Sequence, residues 1–104
     1  MKSTDRNAFK TDVIESKKIV LVDVWATWCP PCRAMSPIIE QVADETKDWA
    51  EVIKLDVTDD MGMAELLGVN SLPTFIVYKD GKVVDQSIGA TSKTNLIDMM
   101  SKAK

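Results

Sequence analysis

Three segments of the chain have the continuous apolar character of buried strands. The first runs from Ile19 to Trp25 and is apolar on both faces, as in the middle strand of a sheet covered by helices. The second, Val52 to Val57, is predicted to lie parallel to it after a crossover. The third, Phe75 to Tyr78, precedes Asp80-Gly81, which is a strong hairpin signal. The strand from Lys82 to Ile88 is therefore predicted to be antiparallel to the third.

Apolar residues at helical spacing separate these strands. A first helix is predicted from a cap at Thr4 or Asp5 to about Ser16. A second runs from Cys32 to about Thr46, with a kink expected at Pro37. A short helix is predicted from Met61 to Leu67, capped by Thr58-Asp59-Asp60, and a last one from a cap at Thr91 or Ser92 to about Lys102. This order of elements predicts an α/β fold with helices packed on a mixed sheet.

Length and charge limit the possible functions. A chain of 104 residues suffices for one domain, here residues 1–104, with a single core. The net charge of −3 argues against nucleic acid or an anionic membrane as the main partner. No apolar run approaches membrane-spanning length, and the first residues lack the apolar core of a signal peptide. The expected compartment is the cytoplasm, where thiols are kept reduced.

The two cysteines of the chain, Cys29 and Cys32, lie directly after the first strand. At a strand-to-helix junction, unpaired amides and the positive end of the helix dipole favour a thiolate, and Cys29 is the expected nucleophile. A structural zinc site needs about four Cys or His ligands, and the chain has no His. A structural disulfide would close a very short loop and stabilise little. Redox chemistry is therefore the favoured interpretation.

Two charged residues interrupt the apolar strands. Asp23 lies within the first strand, where burial would raise its pKa. It is either at a wet sheet edge or a buried acceptor for the proton of the resolving thiol, Cys32. Lys54 interrupts the second strand and is either an exposed edge lysine or a partner of Asp23.

Several separate motifs resemble the thioredoxin family, from about Thr4 to the C-terminus. Val22 to Cys29 resembles the family's active-site strand with its buried Asp, Pro37 the position of the helix kink, and Lys54 the lysine of the third family strand. Ser71-Leu72-Pro73-Thr74 is similar to the cis-proline loop, Asp80-Gly81 to the family hairpin, and Ile88-Gly89-Ala90 to the substrate-facing loop. The resemblance implies the thioredoxin fold, a three-layer α/β/α domain with about four or five strands in a mixed sheet and about four helices.

The resemblance also implies roles for individual residues. Cys29 would attack a substrate disulfide, Cys32 would resolve the mixed disulfide, and Asp23 with Lys54 would manage the resolving proton. The implied substrate-binding surface comprises Trp28, Pro30, Pro31, Leu72, Pro73, Gly89 and Ala90. The Leu72 backbone would bind an extended substrate segment. The implied partners are oxidised client proteins and a thioredoxin reductase, NADPH- or ferredoxin-linked, and the chain is expected to be a monomer without metal or cofactor.

The sequence departs from the family pattern in two places. Only Met1-Lys2-Ser3 precede the predicted caps, so the family's first strand is expected to be very short or missing, and a missing strand would leave Lys54 at a sheet edge. Pro30 stands where ordinary thioredoxins have Gly. It removes a backbone N–H near the Cys29 sulfur, which is expected to favour the disulfide and give a stronger reductant.

Three functions are compatible with the sequence. The first is a general protein-disulfide reductase that works through a reversible Cys29-Cys32 disulfide. The second is a reductase dedicated to one client, since Cys-Pro-Pro-Cys also resembles the thioredoxin-like reductases that serve cytochrome c maturation. The third is a binding or assembly subunit that uses the surface around Trp28 and Pro73, with its thiols incidental. Replacing both cysteines by Ser separates the third function from the other two, because only an assembly role survives that change.

Overall fold

A five-stranded mixed sheet forms the centre of the structure, a computed structural model that describes residues 1–104. The strands are β1 (Lys2–Thr4), β2 (Ile19–Trp25), β3 (Ala50–Asp56), β4 (Thr74–Lys79) and β5 (Lys82–Ile88), in the spatial order β1-β3-β2-β4-β5. Both β1 and β2 run parallel to β3, whereas β4 is antiparallel to β2 and to β5. The predicted central, doubly covered position of β2 is confirmed, since its first six residues are all buried.

Three α-helices pack on this sheet: α1 (Pro30–Thr46), α2 (Met61–Leu66) and α3 (Lys93–Ser101). Helix α1 begins before the predicted Cys32, because prolines suit the first helical positions, where the backbone N–H has no partner in the helix. It continues through Pro37 to the predicted end. The predicted caps of the other two helices are confirmed, with side-chain caps at Asp60 and Ser92. None of these helices combines the length and the apolar character that crossing a membrane requires.

The prediction of a long first helix is wrong. Only Lys10–Ile14 forms a helical element, a single turn of π type. Thr4 is already part of β1, where it pairs with Leu55, and the Asp5 carboxylate accepts the Ala8 N–H at 2.9 Å in a local turn. Backbone pairing with β3 therefore takes Thr4, one of the two predicted caps, and residues 6–8 form turns before the helical element. Because β1 is present, though short as expected, β3 is not a sheet edge.

Two apolar clusters, one on each face of the sheet, make the predicted three layers. The N-terminal helical turn and α2 cover one face, with Phe9, Val13 and Met63 buried beside both cysteines. Helices α1 and α3 cover the other, where Leu21, Ile39, Phe75 and Leu96 are fully buried. Each such side chain contributes roughly 1.5–3 kcal/mol by leaving water. Trp49 partly covers the second cluster, with the Lys104 ammonium 3.9 Å from its ring centroid.

The predicted hairpin between β4 and β5 is confirmed. Its turn residues Asp80 and Gly81 have φ values of 53° and 78°, as expected for the two-residue turns that join antiparallel strands. The pairing shifts within this hairpin, because Val77 faces Asp85 whereas Tyr78 faces Val83, which leaves Val84 as an extra, bulged residue. Strand β5 is one of the two edges of the sheet, and this bulge interrupts its regular pairing.

Candidate active site

The two cysteines lie where the central strand passes into α1. Strand β2 ends at Trp25, a short turn follows, and Cys29 is the N-cap of α1 with extended backbone dihedrals (φ −98°, ψ 107°). A disulfide joins Cys29 and Cys32, whose Cα atoms are 5.3 Å apart. Both residues are only 4% exposed. The structure therefore shows the oxidised form of a pair one helical turn apart.

A single backbone amide of the helix donates a hydrogen bond to the Cys29 sulfur. The Cys29 Sγ accepts a hydrogen bond from the Cys32 N–H at 3.3 Å, in the position that a capping oxygen usually takes. The two intervening residues, Pro30 and Pro31, carry no backbone N–H. The positive end of the helix dipole adds to the single amide in favouring a charged sulfur at this position.

Asp23 is a buried carboxyl group without a hydrogen-bond partner for one of its oxygens. The residue is 3% exposed, and its Oδ1 atom accepts no hydrogen bond from the chain. Burial raises the pKa of Asp23 to about 6, and the nearby positive charge of Lys54 opposes this rise. The predicted burial and raised pKa are confirmed, and the alternative of a wet sheet edge is wrong.

Lys54 fits neither of the two predicted alternatives. Its strand is not an edge, and no ion pair joins its ammonium to Asp23, although the two residues are directly opposed in the β2–β3 pairing. The Lys54 Nζ instead lies 4.2 Å from the Trp25 ring centroid and 3.4 Å from the Ser36 Oγ on α1. Opposed residues share a sheet face, so Asp23 lies on the face that α1 covers. Its pKa is affected by the Lys54 charge without a direct contact.

The loop before β4 has a cis peptide bond between Leu72 and Pro73. The Thr74 hydroxyl donates to the Ser71 carbonyl at 2.7 Å, and the Gly89 N–H donates to the Pro73 carbonyl at 2.7 Å. The second of these bonds joins the loop to the Gly89-Ala90 segment. The half-buried Leu72 packs against the cluster that contains both cysteines.

The remaining predicted surface residues differ in exposure. Trp28 is 56% exposed, which is unusual for so large an aromatic side chain. Pro30, Pro31 and Ala90 are also exposed, whereas Pro73 is buried. Sequence reasoning missed the contribution of Ser36 and of Thr58, a residue after β3 whose hydroxyl bonds to the turn before Cys29. Asp56, two residues before Thr58, signals a local turn, but only the folded topology shows that the turn reaches Thr27.

A cysteine pair that caps the helix after a central strand, and that forms a disulfide, defines a thiol–disulfide oxidoreductase of the Cys-x-x-Cys class. Comparisons with known proteins agree. The family model "Thioredoxin" matches residues 1–102. The chain is 46% identical over 91 residues to the thioredoxin of Chlorobaculum thiosulfatiphilum, which covers 88% of this chain and 83% of that protein.

Two further relatives extend the match. The thioredoxin of Mycobacterium bovis is 44% identical over 101 residues, 97% of this chain and 86% of the relative. Thioredoxin 1 of Synechococcus elongatus is 39% identical over 94 residues, 90% of this chain and 88% of the relative. The chain therefore belongs to the thioredoxin family, and it is a dithiol–disulfide oxidoreductase with a redox-active cysteine pair.

Proposed function

We propose that the chain, acting as one thioredoxin domain over residues 1–104, reduces disulfides in a range of client proteins. The observation that carries this proposal is the Cys29-Cys32 disulfide at the N-terminus of α1, beside the exposed Trp28. The helix end favours Cys29 as a thiolate, and the indole offers an apolar surface to a client.

Each reaction cycle transfers two electrons. In the reduced protein, the Cys29 thiolate attacks one sulfur of the client disulfide. The client S–S bond breaks, a Cys29–client disulfide forms, and the released client sulfur takes a proton. The Cys32 thiol then loses its proton, and its thiolate attacks the Cys29 sulfur. The mixed disulfide breaks, the second client sulfur leaves and is protonated, and the Cys29-Cys32 disulfide of the structure results.

Asp23 is the proposed acceptor of the Cys32 proton. A base is useful when its pKa lies near the working pH, and burial raises the pKa of Asp23 to about 6. Its unpartnered Oδ1 is free to take a proton, directly or through a water. Lys54 has an electrostatic role in this proposal, because its charge limits how far burial raises that pKa.

The proposed client-binding surface surrounds the disulfide and comprises Trp28, Pro30, Pro31, Leu72, Pro73, Gly89 and Ala90. The backbone N–H and C=O of Leu72 make no hydrogen bond to the chain's own backbone. They are therefore available to an extended client segment, which would bind as an added strand. Exposed Trp28 and Pro31 would contact the side chains of that segment.

The reduction potential of the Cys29/Cys32 couple tests this function. Equilibration in thiol buffers can be followed by tryptophan fluorescence, because Trp25 and Trp28 flank the site. A value at or below roughly −270 mV supports a reductase. A value of about −180 to −120 mV would mean an isomerase or an oxidant and would contradict the proposal.

Trapping experiments test the two cysteine roles. With Cys32→Ser, the mixed disulfide between Cys29 and a protein disulfide such as that of insulin should accumulate. The matched Cys29→Ser variant should trap nothing. The opposite pattern would reverse the assignment, and an activity in cells that survives the double Ser variant would indicate an assembly role.

The same proposal covers the reductase partner, the compartment and the oligomeric state of the protein. A thioredoxin reductase, NADPH- or ferredoxin-linked, would return the disulfide to the dithiol after each cycle. The protein would act as a monomeric electron carrier in the cytoplasm and contribute to redox homeostasis there. Support comes from the family membership and from cysteine use confined to one redox pair.

A further inference from the structure

The turn between β2 and Cys29 is held by a side-chain network that starts on the neighbouring strand. The Val57 N–H donates to the Trp25 carbonyl at 2.8 Å, which joins the ends of β3 and β2. The next residue, Thr58, places its hydroxyl against Thr27: the Thr27 N–H donates to the Thr58 Oγ1 at 2.8 Å. The two threonine hydroxyl oxygens are 3.1 Å apart.

The chemistry of the groups fixes the direction of each hydrogen bond. The Thr58 Oγ1 lies 2.5 Å from the Asp56 Oδ1, and the Thr58 N–H donates to the same oxygen at 2.9 Å. An ionised carboxylate only accepts, so the single hydroxyl proton of Thr58 points to Asp56. Both lone pairs of the Thr58 hydroxyl then face Thr27 and accept its N–H and its O–H. Asp56 therefore orients the Thr58 hydroxyl as an acceptor for Thr27.

Thr27 is held on its other side as well. The Arg33 Nη1 donates to the Thr27 carbonyl at 2.9 Å, and the Cys29 N–H donates to the Ala26 carbonyl at 3.2 Å. Side chains thus hold both the N–H and the C=O of Thr27, the residue immediately before Trp28. Trp28 is 56% exposed, so packing covers less than half of it and the backbone of this turn helps to set its position.

We propose that Thr58, oriented by Asp56, is a positioning residue for client binding. It holds the Thr27 amide, and thereby presents the Trp28 indole beside the disulfide at the angle a docked client needs. This inference rests on the proposed reduction of protein disulfides and adds a residue outside the client-binding surface. Small displacements of a group that orients a substrate can lower an enzyme's rate considerably. Thr58 can therefore affect the rate through the position of Trp28, although it contacts no client itself.

The test compares Thr58→Val, which has the shape of threonine without the hydroxyl, with Thr58→Ser, which keeps the hydroxyl. Two substrates are used with each reduced variant: insulin, a protein disulfide that must dock, and 5,5′-dithiobis(2-nitrobenzoic acid), a small disulfide that needs only the Cys29 sulfur. For Thr58→Val we expect kcat/KM on insulin to fall about three- to tenfold, the equivalent of one lost hydrogen bond. The rate with the small disulfide should change less than about twofold, and Thr58→Ser should restore the insulin rate.

Asp56→Ala is the second variant, because it frees the Thr58 hydroxyl without altering Thr58. It should lower the insulin rate in the same direction, and thermal unfolding identifies any variant that fails to fold. An insulin rate in Thr58→Val equal to wild type would overturn the proposal. So would an equal fall for both substrates, or a Thr58→Ser variant as impaired as Thr58→Val. Wild type and Cys29→Ser are run in parallel, since inactive wild type would refute the proposed function itself.

Discussion

Asp23 and Lys54 are directly opposed in the pairing of β2 with β3, yet the Lys54 ammonium lies over the Trp25 ring and not on the Asp23 carboxyl. The carboxyl group is therefore buried with one oxygen unpartnered and without an ion pair. Burial outweighs the attraction of Lys54, and the pKa of Asp23 rises to about 6. A direct ion pair would have the opposite effect and hold the carboxylate charged at all working pH values.

The raised pKa of Asp23 predicts that this residue destabilises the fold at neutral pH. The folded state holds the Asp23 proton between about pH 4 and pH 6, where the unfolded chain releases it, so the free energy of unfolding falls as the pH rises through that window. At pH 7 the penalty is on the order of 2–3 kcal/mol. Asp23→Asn should therefore be more stable than wild type at pH 7 by about 2 kcal/mol, with the advantage vanishing below about pH 4.

Urea unfolding at several pH values checks this stability difference. Asp59→Asn, at an exposed position, is the matched control. A constant difference between Asp23→Asn and wild type across the pH range would contradict the expected linkage. The same Asp23→Asn variant should also resolve mixed disulfides more slowly above pH 6, if Asp23 accepts the Cys32 proton.

Removing the charge of Lys54 should raise the pKa of Asp23 further. Lys54→Met keeps much of the side-chain length but removes the only opposing cause of the Asp23 shift. The pKa is measured directly from the carboxyl carbon chemical shift of Asp23 in a pH titration. Lys18→Met, at the opposite end of β2, is the control and should leave that titration unchanged. An unchanged midpoint in Lys54→Met would show that the Lys54 charge does not reach the carboxyl group.

Two glycines with similar backbone dihedrals allow the cost of a strained backbone to be measured apart from the cost of a steric clash. Gly68 and Gly81 have φ values of 73° and 78°, but a Cβ at Gly68 meets no atom within 4 Å, whereas one at Gly81 would lie 2.8 Å from the Ile14 carbonyl oxygen. Gly68→Ala should cost about 1–2 kcal/mol from the left-handed backbone alone. Gly81→Ala should cost clearly more, because the hairpin must also move away from the N-terminal helical turn. Equal losses in chemical denaturation would mean that this contact relaxes freely.

Restoring an amide at position 30 should make the protein a weaker reductant. Cys29 receives one backbone hydrogen bond, from Cys32, because Pro30 and Pro31 have no N–H. Pro30→Ala and Pro30→Gly each add a donor near the sulfur, which stabilises the thiolate of the reduced form. We expect the reduction potential to rise by on the order of 20–40 mV in both variants. A rise confined to Pro30→Gly would point to backbone flexibility as the cause.

Local signals were sufficient for much of the fold and for the redox centre. The apolar run from Ile19 to Trp25 predicted the central strand, Asp80-Gly81 predicted the hairpin, and the spacing of Cys29 and Cys32 predicted the chemistry. The prediction of the first helix was wrong at its start because Thr4 pairs with Leu55, a long-range contact that local spacing does not contain. The prediction for Lys54 was wrong for a similar reason, since the position of its ammonium depends on Trp25 in the neighbouring strand. The Thr58 network likewise requires two strand ends to meet.

The bulge at Val84 bears on whether partly unfolded chains can pair with the exposed edge of the sheet. An oxidoreductase that binds extended segments works among molecules whose free strands can pair with any open sheet edge. Strand β5 is such an edge and carries the exposed residues Val83 and Val84, but the bulge twists it and breaks the regular spacing that an incoming strand needs. An interrupted edge of this kind is expected to resist coaggregation with such chains. The proposed client-binding loop at Leu72, by contrast, keeps its backbone N–H and C=O free of the chain's own backbone.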